Sequence, residues 1–154
     1  MKYRMLTDDE LKAFEEDFKH FLIANGVSNE EWSEMNASNP GRALEMVGLF
    51  SDTVLQKVYE KIEFLEHRSL DSCMVFRAMK EEILLISINR KSDKVDLSTP
   101  ESIHDALQSQ SNELSIFGTS KKYSKVRELE IHDMISQGCV PSSQDFWDAL
   151  KQLI

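Results

Sequence analysis

The sequence predicts an α+β fold, and three observations carry that expectation. Apolar residues recur at helical spacing up to about residue 60; short runs rich in Ile, Val and Phe follow; helical spacing returns after Thr99. With 154 residues, 41% of them hydrophobic and 29% charged, the chain suits one domain, 1–154, that buries a core without metal or disulfide support.

The elements follow in order. "TDDE" at Thr7 to Glu10 is a capping box, and Leu11, Phe14, Phe18, Phe21 and Leu22 then share one helical stripe that ends at Gly26. "SNEEW" at Ser28 to Trp32 opens a short second helix in the same way. Asn39 and Pro40 suit the cap and first position of a third, with Ala43, Val47, Phe50, Val54 and Val58 carrying it to about Glu60. Gly48 within it costs about 1 kcal/mol relative to Ala, which close packing against another backbone would explain.

"KIEFLEHRS", "SCMVFRAM" and "EILLISINRK" then read as three antiparallel strands of a meander. In the third, Leu84, Ile86 and Ile88 face one way while Ile83 and Leu85 begin the other, so both faces of that strand are expected to be covered. Thr99 and Pro100 start a helix marked by Ile103, Ala106 and Leu107; "LSIFGTSKKY" is extended; "KVRELEIHDMISQ" is helical to Gly138. A last helix aligns Phe146, Ala149, Leu150 and Leu153. The expected architecture is N-terminal helices, a three- or four-stranded mostly antiparallel sheet, and C-terminal helices packed on it.

The formal net charge is −9, with 14 acids and 7 bases in residues 1–66 against 13 and 11 in residues 67–154. Such a surface repels nucleic acid at long range and argues against extensive nucleic-acid binding. No run of 18 apolar residues and no signal-peptide core are present, so no membrane contact and a cytoplasmic location are expected. Cys73 and Cys139 have no zinc-type spacing and read as reduced thiols; no cofactor or metal is expected.

Against this acidity, "GTSKKYSKVREL" gathers Lys121, Lys122, Lys125 and Arg127 around Tyr123. If Ser124 caps the next helix, Lys125 and Arg127 fall in its first turn, where the helix dipole disfavours cations. Elsewhere the chain puts acids at such positions. A bound phosphate or carboxylate would reconcile the two, with Tyr123 as an aromatic platform. The alternative is a solvated loop paired with the chain's own acidic helices, and the spacing is not that of a Walker A loop.

A second cluster is Glu66, His67 and Arg68, with Asp71 and Cys73 nearby. An acid–base site or an activated Cys73 thiolate is conceivable there, but His67 and Arg68 alternate to opposite faces of a strand. His104-Asp105 and His132-Asp133 resemble the dipeptide of metal-dependent phosphohydrolases, yet no two histidines stand at HxxxH spacing, and surface histidines are the simpler reading. The helix after Lys125 is apolar on two sides, and Val126, Leu129 and Trp147 are its candidate interface residues together with the last helix.

Taken together, "MKYRMLTDDELKAFEEDFKHFLIANG", "LFSDTVLQKVYEKIEFLEHRS" and "SKKYSKVRELEIHDMISQG" resemble a family of short, uncharacterised bacterial proteins over nearly the whole chain. The resemblance implies a bacterial, cytoplasmic, self-contained domain and assigns no activity, cofactor or catalytic residue.

Three functions remain open at this stage. The first is a non-enzymatic binding or interaction protein that forms a homodimer or takes a protein partner. The second is a phosphate- or nucleotide-binding module that uses residues 121–127 to hold a small phosphorylated ligand. The third is an enzyme with an acid–base site near Glu66, His67 and Arg68.

Overall fold

Thr7 opens the first helix of the computed structural model, which describes residues 1–154: its hydroxyl accepts the Glu10 amide while the Glu10 carboxylate accepts the Thr7 amide at 2.9 Å. Hydrogen bonds from Arg4 hold the Glu10 carboxyl down to about 2. The single helix expected from Thr7 to Gly26 is two, α1 (Asp8–Ala13) and α2 (Glu15–Ala24), broken at Phe14. Glu15, Glu16 and Asp17 follow the break, and three acids in one first turn favour a helix N-terminus there. Gly26 ends α2 with φ at 76°, a value that asks for glycine.

Ser28 caps α3 (Asn29–Ser38), and Asn39 precedes α4 (Pro40–Lys61). The backbone contacts divide the chain into two compact units, Met1–Val58 and Tyr59–Ile154. In the first, Leu22, Val27 and Met46 form a buried cluster against Phe18, Phe21, Trp32 and Met35. Phe50 joins the aromatic group, with ring centroids 4.9 Å from Phe18 and 5.4 Å from Phe21. Gly48 faces side chains rather than a backbone: a Cβ there would lie 3.7 Å from the sulfurs of Met1 and Met5.

The second unit is built on a five-stranded antiparallel sheet of order β4-β3-β2-β1-β5, with β1 Phe64–Arg68, β2 Ser72–Ala78, β3 Glu82–Arg90, β4 Leu114–Lys122 and β5 Val140–Pro141. The three-stranded meander and the extended "LSIFGTSKK" are as the sequence indicates. The fifth strand is two residues beside β1, too short to leave a periodic signal. The helices are α5 (Pro100–Ser109), α6 (Arg127–Ser136) and α7 (Gln144–Lys151), with a single 3-10 turn at Ser111–Glu113.

Alternation sorts the side chains of the sheet. Phe64, Cys73, Val75, Ile86, Ile88 and Leu114 share one face and are buried with Ile103 and Ala106 of α5 and Trp147 and Leu150 of α7. On the other face His67 packs beneath Gly138, and Lys121 reaches Glu130 of α6. The sheet is therefore covered on both sides, which is why Ile83 is as buried as Ile86.

Candidate functional site

The five candidate residues of the basic stretch fall into two groups with Lys122 apart: Lys121 and the Lys125 amide meet at Glu130, and Tyr123 and Arg127 lie side by side. Lys121 and Lys122 end β4 on opposite faces, opposite Ile83 and Glu82 in register. The Lys121 ammonium lies 3.5 Å from Glu130 Oε2, and Lys125 lies 2.6 Å from Asp133. Tyr123 donates its hydroxyl to the Met79 carbonyl at 2.7 Å. Arg127 turns inward and donates to the carbonyls of Tyr59 at 3.1 Å, Ala78 at 3.2 Å and Ile62.

Ser124 does not cap α6; Val126 does, without a side-chain bond. Ser124 instead joins a small cradle that holds the Glu130 carboxylate: its amide and hydroxyl donate to Oε1 at 2.5 and 2.8 Å, and the Lys125 amide does so at 3.3 Å. The anion that the helix start asks for is thus supplied from within the chain, by α6 rather than by the acidic N-terminal helices. Burial raises the carboxyl's proton affinity, but the bonds from Ser124 and Lys125 and the charge of Lys121 outweigh it and leave the pKa below the ordinary value.

The Glu66–His67–Arg68 cluster divides as strand alternation requires. His67 points to the α6 face, where Nδ1 is buried without a hydrogen-bond partner. Glu66 and Arg68 point to the α5–α7 face and line a pocket of about 360 Å³. Its other walls are Pro100, Ile103, His104 and Leu107 from α5 and Ser143, Phe146 and Ala149 at and after the start of α7.

Glu66 is only 6% exposed. It forms an ion pair with Arg68, whose side chain keeps a quarter of its surface accessible. The pair lies off hydrogen-bonding geometry, and Glu66 Oε2 and Arg68 Nε are both buried without a hydrogen-bond partner. Cys73 sits opposite Arg68 in register. Burial first, and the Glu66 charge second, push its thiol up to about 11 against a partial opposing pull from Arg68, so it is no activated nucleophile.

Of the candidate interface residues, Val126 is 57% exposed, Leu129 is half-buried, and Trp147 is interior at 2%. Both cysteines are free and buried. His132, from one of the two His-Asp dipeptides, hydrogen-bonds the Tyr59 hydroxyl at 2.8 Å, while Asp133 holds Lys125. His104 is exposed, as expected from the sequence, and it also lines the pocket. One signal for the site was present in the sequence: two charges, Glu66 and Arg68, share the strand face of the core residue Phe64. No helix is long and apolar enough to cross a membrane.

No curated protein matches the chain, and no solved structure does. A family profile matches residues 1–154, the same residues that carry both units and the pocket, and on that match the chain belongs to DUF6495, a family of unknown function.

Proposed function

We propose that this protein is a small-molecule-binding domain whose ligand occupies the pocket between β1, α5 and α7. The observation that supports this is a buried ion pair with unused hydrogen-bonding capacity, Glu66 with Arg68, in the wall of an otherwise apolar concavity. Removing two charges from water costs several kcal/mol per ion, and a lone contact off hydrogen-bonding geometry offsets this poorly. Ligand sites combine an apolar lining with a few polar groups in this way, in clefts of roughly 300–1,000 Å³. Binding is favoured over catalysis because His67 lies on the far face of the sheet and the Cys73 thiol is held protonated.

A thermal-shift screen of small amphipathic molecules tests the reading. A ligand at a hundredfold excess over its Kd adds about 2.7 kcal/mol, which raises the melting temperature by roughly 5–10 °C. Leu107→Trp, which fills the pocket from a half-buried wall position, is expected to abolish that rise while leaving the unliganded protein folded. A rise that survives Leu107→Trp, or a screen without any rise, would refute the reading.

Self-association is a second reading, favoured by Leu44 and Leu49, which are 61% and 58% exposed on α4 along a groove shared with Met1 and Met5. Lys2, Glu45 and Asp52 line the same groove, so a two-fold contact that sets Lys2 against the acids of a second copy pairs opposite charges. Light scattering is expected to give a dimer mass that falls to the monomer in Leu44→Glu/Leu49→Glu. A parent that is monomeric at its highest soluble concentration excludes this contact.

A further inference from the structure

We infer that the ligand of the β1–α5–α7 pocket is a zwitterionic amino acid with a large apolar side chain; the inference rests on the pocket being a binding site. Three features of the lining lead there. The first is electroneutrality. Glu66 and Arg68 are the two residues of opposite formal charge in the wall, and they cancel. A ligand of net charge would unbalance a poorly hydrated site, whereas one that carries both charges leaves it neutral.

The second is the kind of capacity left over. Glu66 Oε2 meets the Arg68 guanidinium in the ion pair but accepts no hydrogen bond, and Arg68 Nε donates none. An ammonium and a carboxylate one carbon apart supply the complementary pair to two side chains that stand two residues apart on one strand face. Pro100 and Ser143 bring the N-terminal ends of α5 and α7 to the same wall, and the partial positive charge of those ends suits the carboxylate side of such a ligand.

The third is size and polarity. Ile103, Leu107, Phe146 and Ala149 supply the rest of the lining. A cavity of about 150 Å³ holds benzene, so 360 Å³ holds about a dozen non-hydrogen atoms, the size of a leucine or phenylalanine molecule.

The test compares three probes of one shape by titration calorimetry: L-phenylalanine, phenylpropionate, which lacks the ammonium, and phenylethylamine, which lacks the carboxylate. L-phenylalanine is expected to bind at least about tenfold more tightly than either single-charge probe, the ratio one charge-assisted contact supplies. Glu66→Gln is expected to erase its advantage over phenylpropionate. Arg68→Gln leaves a buried carboxylate alone and is at risk of unfolding, so the paired variant Glu66→Gln/Arg68→Gln is measured beside it and is expected to bind the three probes alike.

If either single-charge probe equals or exceeds L-phenylalanine in the parent, the ligand class is wrong while the pocket reading stands. If a preference for L-phenylalanine persists in the paired variant, recognition lies elsewhere and the inference is overturned. If no probe binds and the screen above is also blank, the pocket reading fails and this inference fails with it.

Discussion

Replacing Arg127 by Ala is expected to destabilise residues 59–154 by about 3–4 kcal/mol, which lowers the melting temperature by about 10 °C. The Arg127 side chain is 16% exposed, and its guanidinium donates to three backbone carbonyls. Tyr59 belongs to the last turn of α4, where its carbonyl also accepts the Ile62 amide at 3.3 Å, and Ile62 follows that helix directly. Ala78 is the last residue of β2. Alanine would leave the Ile62 and Ala78 carbonyls without this donor and would loosen the junction where α4 leads into β1, leaving the Ala78 amide's bond to the Glu63 carbonyl as the tie between the end of β2 and the start of β1. Lysine at 127 is expected to recover less than half of the loss, because a single ammonium cannot span three acceptors as a planar fork does. The measurement is denaturant unfolding followed by Trp147 fluorescence, with Trp32→Phe in all proteins so that the interior indole reports alone. A loss below about 1 kcal/mol for Arg127→Ala would show that the carbonyls find other donors.

Glu130→Gln is expected to cost about 2 kcal/mol at neutral pH, and the cost should shrink in acid. The carboxylate accepts from the Ser124 amide, the Ser124 hydroxyl and the Lys125 amide, and it faces the Lys121 ammonium. Glutamine keeps the shape and one acceptor oxygen but brings an amide group that competes as a donor. The folded-state pKa of Glu130 lies below its ordinary value of 4.5. Its contribution is therefore complete above that value and is lost as pH falls through the lower folded-state pKa. The stability curves of parent and variant should run apart at pH 7 and draw together as pH falls below 4.5 and through the folded-state pKa. Parallel curves over that range would mean that the charge is immaterial and that the cradle recognises shape alone.

How much of this was legible in sequence depends on how far a residue's partner lies along the chain. Capping is local, so the caps at Thr7, Ser28 and Thr99 could be read directly and all three form; Thr7 makes the full box with Glu10, whereas Ser28 caps by accepting the Glu31 amide. Strand alternation is local too. It separated His67 from Arg68 before any fold was known, and the structure places them on opposite faces of β1. The break at Phe14 was hidden because the apolar stripe from Leu11 to Leu22 continues across it and only the three acids after it mark a new start. Ser124 was misplaced as a cap for a related reason: a carboxylate six residues on, at Glu130, takes the Ser124 hydroxyl that would have capped the helix, and a capping pattern that looks three residues ahead does not reach it. Trp147 stood at the edge of its helix's apolar stripe, yet burial against Phe64 and the sheet turns that edge inward.

The sequence by itself determined the α+β class, the order of helices and strands, most caps, and which strand residues share a face, because each follows from the 3.6 and 2.0 periodicities and from hydrogen bonds within a few residues. Only the tertiary structure decided which charges are neighbours. It closed the basic stretch on Glu130, Asp133 and three distant carbonyls, and it assembled a pocket from residues 66–68, 100–107 and 143–149. The physical reason is that a side chain's electrostatic partner is set by packing of the sheet against its helices, and packing brings together segments whose separation along the chain leaves no periodic trace.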